Sequence, residues 1–210
     1  MTEERFQLCD TLLIHDHKAH QGRVRSLFNM PDAQSLPLEL EIGCGKGAFL
    51  LELAKQNPKT LYVAIEACRE ALLLAVEKVA AAGLANVLFL SGDAAGLAEV
   101  FSPGEVDKIY LNFSDPWPKS RHAKRRLTAP SFLSIYQNIL KEGGAIRQKT
   151  DHLLLFESSL ENYKAAGWTL EDLTRDLHHS PWAEGNVLTE YETAKSALGL
   201  PIYAVTARRP

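Results

Sequence analysis

The chain has 210 residues, of which 46% are hydrophobic and 23% charged, a composition typical of globular proteins and unlike that of disordered or fibrous ones. No apolar run reaches the ~18–20 residues that cross a bilayer, and no signal-peptide pattern is present, so we expect a cytoplasmic protein without a membrane partner. Three scattered cysteines are too few for a disulfide framework or a zinc site, and no metal is expected.

The net charge of −3 hides an uneven distribution of charge. Residues 119–126 contain five of the 23 basic residues and none of the 26 acidic ones. A charge run is usually a solvated surface, but an acidic body with one dense basic segment is typical of a protein that contacts a polyanion locally. If all five cations met phosphates of non-duplex RNA, log affinity would fall with log salt at a slope of about −3.5.

Regular patterns begin at residue 38, and the role of the preceding segment, residues 1–37, is left open. Strands are predicted at 38–42, 61–65, 87–90, 106–113, about 145–149, and near 168–175 and 201–207. Helices are predicted at 48–56, 68–82, 130–140, along 153–163, and briefly before Pro103. This alternation predicts one α/β domain over 38–210, a doubly wound, mostly parallel sheet with helices on both faces. Such sheets bind ligands beyond the carboxyl ends of their strands.

A glycine motif, Glu41-Ile42-Gly43-Cys44-Gly45-Lys46-Gly47, follows the first predicted strand. Glycines at alternate positions let the backbone turn tightly and approach a ligand without an intervening Cβ. The amides that begin the next helix can then face polar ligand atoms. Taken alone, the motif is equally consistent with a turn in which glycine serves only the geometry.

Two acidic residues at later strand ends point to a nucleoside. Glu66 ends the second predicted strand, 23 residues after Gly43, near the ~20-residue offset at which a carboxylate binds ribose hydroxyls. Asp93 follows the third strand, in a position to meet an adenine amino group. Each acid alone is a candidate helix cap or solvated strand end. Together they predict an adenosine-containing cofactor.

Two adenosine-containing cofactors are candidates, a nicotinamide dinucleotide and S-adenosylmethionine. Gly43, Gly45 and Ala48 satisfy the spacing of a nicotinamide dinucleotide fingerprint. Glu41 lies just before the first glycine, where it can reach an ammonium group, and Gly47 gives the tighter glycine spacing. These two features favour S-adenosylmethionine.

The fourth predicted strand runs into Asn112-Phe113-Ser114-Asp115-Pro116-Trp117-Pro118-Lys119. Two prolines restrict the backbone, so Asp115 and Trp117 are expected in a stiff loop at the carboxyl edge of the sheet. An acid there can bind the amino and imino edge of a purine, with an aromatic wall beside the base. A rigid turn with a packed tryptophan is the alternative, and the adjoining basic segment favours the functional interpretation.

Read together, these motifs resemble those of the bacterial tRNA (guanine-N7)-methyltransferase family. The similarity spans about residues 38–205, and its most specific part runs from Asp115 to Thr128. Its other parts are Glu41–Gly47, Gly92-Asp93-Ala94, Lys149-Thr150-Asp151, Asn186-Val187, Thr189-Glu190-Tyr191-Glu192 and Pro201-Ile202-Tyr203. The resemblance implies a class I, Rossmann-like methyltransferase fold of seven strands with the last strand antiparallel. It also implies S-adenosylmethionine as methyl donor and N7 of the variable-loop guanine of tRNA as acceptor.

The resemblance, together with the motifs above, assigns candidate residues. Cofactor contacts are expected at Glu41, Gly43, Gly45, Gly47, Glu66, Asp93 and Asp115, and Asp115 is also the expected catalytic residue. Substrate contacts are expected at Lys119, Asp151, Thr189, Glu190, Tyr191 and Glu192. RNA contacts are expected at Arg121, His122, Lys124, Arg125 and Arg126. The implied partner is tRNA, bound by a monomer or weak homodimer.

Two departures and two rival functions accompany this assignment. Arg147-Gln148 replaces the apolar or aromatic residues usual before Lys-Thr-Asp, and Thr193-Ala194 replaces an acidic and basic pair. From its residues alone, the stretch 189–192 is indistinguishable from a polar loop. The rival functions are a non-catalytic RNA-binding protein on a methyltransferase scaffold and an NAD-dependent oxidoreductase, and the latter leaves the basic segment without a purpose.

Overall fold

Seven strands form one central sheet in the computed structural model, which describes residues 2–210 apart from the side chains of Thr2, Glu3 and His17. The strands are β1 Leu38–Ile42, β2 Leu61–Glu66, β3 Val87–Ser91, β4 Val106–Asn112, β5 Leu140–Thr150, β6 Thr169–Thr174 and β7 Tyr203–Arg208. Their order across the sheet is β3-β2-β1-β4-β5-β7-β6. Met1 of the predicted N-terminal segment lies outside the described residues.

The pairing of the strands confirms the predicted fold class. β1 pairs in parallel with β2 and with β4, while β3 and β5 extend the parallel sheet outward on either side. The last strand, β7, runs antiparallel to both β5 and β6. The chain changes direction across the sheet between β1 and β4, so a crevice opens beyond the carboxyl ends of these two strands.

Helices cover both faces of the sheet, and α2 to α6 bury apolar residues against it. In the part of the chain that the structure describes, the α-helices are α1 Thr2–Leu8, α2 Ala48–Gln56, α3 Arg69–Ala82, α4 Leu97–Val100, α5 Pro130–Ile139, α6 Leu153–Ala165 and α7 Glu190–Ser196. On one face, α2 and α3 pack against Tyr62, Ala64 and Tyr110 of the strands. On the other face, α4, α5 and α6 share a larger core with residues such as Leu40 and Ile109. In residues 2–210 no helix combines the length and apolar character needed to cross a membrane.

Strand β5 begins five residues earlier than the pattern predicted. The Gly143-Gly144 pair reads as a helix terminator, but in the fold it lies inside the strand, where the pairing with β4 shifts register after Val106. Gly143 has a φ of 70°, and a Cβ on Gly144 would lie 2.9 Å from the Lys141 carbonyl oxygen. The glycines therefore make an irregularity in a continuous strand, which a local pattern does not distinguish from a turn.

The segment before residue 38 packs against the same sheet. The Ile14 amide donates to the Phe89 carbonyl at 2.8 Å, and Leu13 forms a parallel bridge with Phe89, which covers part of the edge strand β3. Val24 and Phe28 are buried in the core shared with α5 and α6. An uncovered edge strand is open to pairing with other chains, so this segment protects the sheet.

Candidate active site

Two adjoining cavities lie at the carboxyl edge of β1, β2 and β4. The glycine-loop cavity, of about 210 Å³, is bounded by residues 43–49, the end of β4 and the start of α7. The strand-end cavity, of about 320 Å³, is bounded by the ends of β2 and β3 and by the loop that follows β4. Both are lined by Gly43, Asn112 and Phe113, so together they form one continuous crevice.

The glycine loop needs glycine for two different reasons. Gly43, Gly45 and Gly47 have φ values of 78°, 55° and 76°, in the left-handed region that side chains avoid. A Cβ on Gly47 would lie 2.7 Å from the Cβ of Ala75, so this glycine allows the loop to pack against α3. Gly43 and Gly45 have open space at the Cβ position, which leaves their backbone accessible to a ligand.

Glu41, at the end of β1, is a buried acid on the wall of the glycine-loop cavity. Its side chain accepts a hydrogen bond from Nδ2 of Asn112 at 3.0 Å through Oε1. Within the described part of the chain, Oε2 of Glu41 and Oδ1 of Asn112 have no hydrogen-bond partner. Burial raises the pKa of Glu41 to about 7, although the Asn112 hydrogen bond and the charge of Lys149 oppose the shift. This arrangement fits a ligand that brings a positive charge or N–H donors.

Glu66 and Asp93 line the strand-end cavity, where the sequence predicted a ribose and an adenine. The Glu66 carboxylate accepts the amides of Gly45 at 2.9 Å and Cys68 at 2.8 Å, so it stabilises the glycine loop directly. Asp93 accepts the Ala95 amide at 2.8 Å and caps a short 3-10 turn. Both acids therefore hold local structure at the cavity, and their cofactor contacts stay predictions.

The loop after β4 contains strained backbone beside the strand-end cavity. Phe113 and Trp117 have φ values of 52° and 40°, in a region that costs backbone strain for non-glycine residues. Arg126 holds the loop in this shape, since its guanidinium donates to the carbonyls of Pro116 and Trp117, each at 3.1 Å. Asp115 is exposed and lines the same cavity as Glu66.

The basic segment forms a 3-10 turn over Ser120–Arg125 next to this loop. The Arg125 guanidinium lies 4.9 Å from the centre of the Trp117 ring, and the His122 ring approaches the same tryptophan edge-on at 5.7 Å. Lys119, Arg121, Lys124 and Arg125 are exposed, whereas Arg126 is half-buried. Arg126 also donates to Oγ of Ser158 at 3.0 Å, so its donors are largely used within the protein.

The stretch 189–192 is the start of a helix and not a loop. Thr189 caps α7: its Oγ1 accepts the Glu192 amide at 2.9 Å, and the Glu192 side chain accepts the Thr189 amide in return. This reciprocal pair is the capping box that the Thr-x-x-Glu spacing encodes, so the signal was present in the sequence. Thr189, Glu190 and Tyr191 line the glycine-loop cavity.

Asp151 connects the end of β5 to α7. It accepts a hydrogen bond from the Tyr191 hydroxyl at 3.0 Å and lies 3.2 Å from Nζ of Lys195. The Tyr191 ring in turn packs 5.0 Å from the ring of Phe113, at the end of β4. The structure therefore brings Asp151 and Tyr191 together at the crevice, while Lys119 is exposed at the start of the basic segment.

The structure adds polar residues to which the sequence analysis gave no role, Asn112 and Lys149. Lys149 is buried and donates to Oε2 of Glu192 at 2.6 Å, to the Val187 carbonyl at 2.9 Å and to Oδ1 of Asn186 at 3.2 Å. Burial lowers the pKa of Lys149, and the Glu192 charge opposes this shift. For Glu192, burial acts to raise the pKa, but the charge and hydrogen bond of Lys149 hold it below its ordinary value.

Glu192, a predicted substrate contact, is thus completely buried in this ion pair, and its substrate contact stays a prediction. The signal available for Lys149 was its place in the Lys149-Thr150-Asp151 motif, because its neighbours in β5, Arg147 and Gln148, are polar. The family departure at Gln148 is also buried, and its amide donates to Oγ of Ser159 at 3.0 Å. In the described part of the chain, no group of three or more His, Cys, Asp or Glu side chains is placed to hold a metal ion.

Comparison with known proteins assigns the family. Residues 35–205 match the family described as "Putative methyltransferase". The tRNA (guanine-N(7)-)-methyltransferase of Lachnoclostridium phytofermentans is 45% identical over 197 residues, which cover 94% of this chain and 90% of that protein. The enzyme of the same name from Bacillus subtilis is 49% identical over 184 residues, covering 88% and 84%. This chain belongs to the bacterial tRNA (guanine-N7)-methyltransferase family.

Solved structures agree with the fold of this methyltransferase family member. The crystal structure of the 16S rRNA methyltransferase KamB aligns with a TM-score of 0.62 at 21% identity, over 82% of this chain and 87% of that one. The aminoglycoside resistance methyltransferase NpmB1 aligns with a TM-score of 0.56 at 20% identity, over 83% and 87%. The resemblance identified from the sequence motifs is therefore confirmed at the level of family and fold.

Proposed function

We propose that this protein transfers a methyl group from S-adenosylmethionine to N7 of the variable-loop guanine of tRNA. One observation carries the proposal: an acid-lined crevice at the carboxyl edge of the sheet adjoins, through the loop of Asp115, the only dense basic segment of the sequence. A site for a cationic cofactor and a site for a polyanion are thereby next to each other. The same proposal puts the protein in the cytoplasm, as a monomer or weak homodimer that uses no metal ion.

The residues of the crevice fit S-adenosylmethionine. Among the residues that the structure describes, Glu41 offers a buried carboxylate oxygen without a hydrogen-bond partner, which suits the ammonium group of the cofactor. Glu66 and Asp93 are at the ends of β2 and β3, where a ribose and an adenine would lie, and Gly43 leaves space for close approach. When bound, this cofactor supplies an electrophilic methyl group on a positively charged sulfur.

The chemistry needed from the protein is positioning and charge stabilisation. N7 of guanine carries a lone pair and no proton, so no general base is required to generate the nucleophile. Asp115 can accept hydrogen bonds from the amino and imino edge of the base and so hold N7 in line for attack. The guanine ring gains positive charge during the transfer, and a fixed carboxylate beside it stabilises that charge.

The basic segment supplies the contacts to the phosphates of the nucleic acid. Lys119, Arg121, Lys124 and Arg125 are exposed and can contact phosphates around the target nucleotide. Trp117, with Arg125 over its ring, offers a face on which an unstacked base can rest. Taking the guanine out of the tRNA core costs a few kcal/mol, which these contacts offset.

The test is a methylation assay with position mapping. The protein is incubated with tRNA from cells that lack this modification and with labelled S-adenosylmethionine, and the product is mapped by strand scission specific for N7-methylguanine. We expect label in tRNA and one scission site in the variable loop. Label at another base, or cofactor binding without transfer to any tRNA, contradicts the proposal. Lys55→Met, which alters an exposed pair with Glu52 on α2, serves as an active control.

A further inference from the structure

The hydrogen bonds of the Lys149 ammonium all reach one segment of the chain, residues 186–192, while the same group lies 5.1 Å from the centre of the Phe49 ring on α2. Its ammonium group bonds the side chain of Asn186, the carbonyl of Val187 and the carboxylate of Glu192. Lys149 on β5 lies opposite Asn112 on β4 in the sheet, and Asn112 donates a hydrogen bond to Glu41. The adjacent ends of β4 and β5 therefore hold both Glu41, the acid proposed to bind the cofactor, and residues 186–192, which lead into α7.

The Glu192 carboxylate is fully used inside the protein. Oε2 receives the Lys149 ammonium, while Oε1 receives Nδ2 of Asn186 at 2.7 Å and lies 2.8 Å from Nε2 of His178. The exposed fractions of the Lys149 and Glu192 side chains are 1% and 0%. A buried charge without its partner is strongly unfavourable, so neither side chain can leave this pair easily.

The other ion pairs of α7 with the body are more accessible to solvent and therefore weaker, and α7 also packs Tyr191 on Phe113 and hydrogen-bonds through Tyr191 and Ser196. Lys78 pairs with Glu190, and Lys195 pairs with Asp151, both at solvent-accessible positions. α7 has seven residues, which is too short for a helix to be stable without tertiary contacts. Of these ion pairs, the one between Lys149 and Glu192 is the most deeply buried, and it anchors this helix against the crevice.

We propose that Lys149 and Glu192 are positioning residues whose buried ion pair fixes the start of α7, so that Thr189, Glu190 and Tyr191 form the wall of the glycine-loop cavity that meets the target guanosine. Direct contact with the substrate in this stretch then belongs to those three residues and not to Glu192. This inference rests on the proposed function for the identity of the substrate. The existence of the anchor is independent of it.

The enzymatic test uses Lys149→Met, Glu192→Gln and the double variant. Each single change is expected to lower kcat/KM for tRNA by about 10- to 100-fold, because the cavity wall is displaced. In Glu192→Gln, the Kd for S-adenosylmethionine is expected to change less than about threefold, because Glu41, Glu66 and Asp93 are not on α7. The double variant is expected to be no worse than the poorer single variant, as for two residues that act as one unit. A further tenfold loss when Glu192→Gln is added to Lys149→Met would show direct substrate contact and overturn the proposal.

Hydrogen exchange provides a readout that does not require activity. In Lys149→Met, amides of residues 186–197 are expected to lose protection while those of β1 and β4 keep it. Unchanged protection of 186–197 overturns the proposal even if methylation is lost, whereas an inactive wild-type chain with this local response refutes only the proposed function. If a single variant does not fold, the double variant, which buries no unpaired charge, carries the same exchange test.

A matched control separates positioning from general loss of stability. Leu160→Ala removes a buried side chain from α6, on the opposite face of the sheet. It is expected to lower the melting temperature at least as much as Lys149→Met while leaving KM for tRNA and the protection of 186–197 unchanged. An equal rise of KM in Leu160→Ala would assign the effect of Lys149 to global destabilisation and overturn the proposal.

Discussion

At the scale of single residues, Glu41 is the proposed contact for the cofactor, and burying its charged carboxylate also lowers the stability of the folded protein. Its pKa of about 7 in the folded chain exceeds the ordinary value of 4.5 because burial disfavours the charged form. The folded state therefore binds this proton more tightly than the unfolded state. The contribution of Glu41 to stability consequently falls as the pH rises from 4.5 through 7. A cationic ligand reverses the preference, because it stabilises the ionised carboxylate.

We predict that Glu41→Gln stabilises the protein and weakens its cofactor binding. At pH 8 the free energy of unfolding is expected to rise by up to about 3 kcal/mol, and at pH 5 the gain is expected to fall to about 1 kcal/mol or less. The Kd for S-adenosylmethionine is expected to rise by about 10- to 100-fold, since a charge-assisted hydrogen bond is lost. Urea titration and calorimetry measure the two effects, with the exposed Glu52→Gln as control. A less stable variant at pH 8 would show that the carboxylate is not destabilising.

The same carboxyl group predicts a pH dependence of binding. Affinity for S-adenosylmethionine is expected to fall below about pH 7, by at most tenfold per pH unit, as Glu41 takes up its proton. Near pH 7, binding is expected to release protons, which calorimetry detects in buffers of different ionisation enthalpy. In Glu41→Gln this component disappears. An identical pH profile in both proteins would assign the titration to the cofactor itself.

Asp115 is expected to affect catalysis more than binding. In Asp115→Ala, kcat for tRNA is expected to fall by about 10²- to 10³-fold, because a fixed charge beside the reacting base is removed. The Kd for S-adenosylmethionine is expected to change by less than about threefold. Single-turnover rates and calorimetry make the comparison. Cofactor affinity that falls in step with kcat would make Asp115 chiefly a cofactor ligand.

At the scale of elements, the basic segment combines the proposed RNA contacts with a residue that supports its own loop. Four of its five cations are exposed, while Arg126 donates to carbonyls of the strained loop that carries Asp115. Strained backbone persists only where neighbouring structure holds it. The basic segment therefore contains both the proposed tRNA contacts and the arginine that fixes the shape of the loop carrying Asp115.

Salt dependence can separate these two roles. With four phosphate contacts, log affinity for tRNA is expected to fall with log salt at a slope of about −2.8, against about −3.5 if all five cations take part. Arg121→Ala is expected to reduce the steepness by about 0.7, whereas Arg126→Ala is expected to lower kcat and leave the slope unchanged. Filter binding at several salt concentrations provides the slopes. Equal changes of slope in both variants would place Arg126 among the RNA contacts.

At the scale of the whole molecule, the charge distribution and the N-terminal segment each act over the entire fold. In the proposed function, an acidic body that carries one basic segment would orient the polyanionic tRNA toward the crevice before contact. The N-terminal segment shields the edge of β3 and contributes Val24 and Phe28 to the large core. It is therefore part of the folded unit formed by the rest of the chain.

Removing a core side chain from this segment tests that conclusion. Phe28 is 5% exposed, so Phe28→Ala is expected to lower the free energy of unfolding by about 3–5 kcal/mol. Leu198→Ala, at a position 73% exposed, is expected to have almost no effect. Chemical denaturation of both variants gives the comparison. A loss below about 1 kcal/mol for Phe28→Ala would mean that the segment is only loosely attached.

The strand ends that carry Glu41, Glu66, Asp93 and Asn112 were predictable because the period of apolar residues and the glycine signals are local. The early start of β5 was not, because Gly144 is required there by the approach of the Lys141 and Asp107 carbonyls. α7 was missed although its capping box is visible in the sequence. A helix of this length is stable only through contacts with distant residues.

Local residue patterns alone thus established the order of the strands and of helices α2 to α6, the glycine motif and the basic segment, since each is encoded within about twenty neighbouring residues. The folded chain was needed to learn that Lys149 and Glu192 are buried together and that Arg126 braces its own loop. Burial depends on which distant segments pack against a residue. Whether a side chain of a short sequence motif faces the crevice or supports the fold is therefore decided only by the tertiary packing of the sheet, the loops and α7.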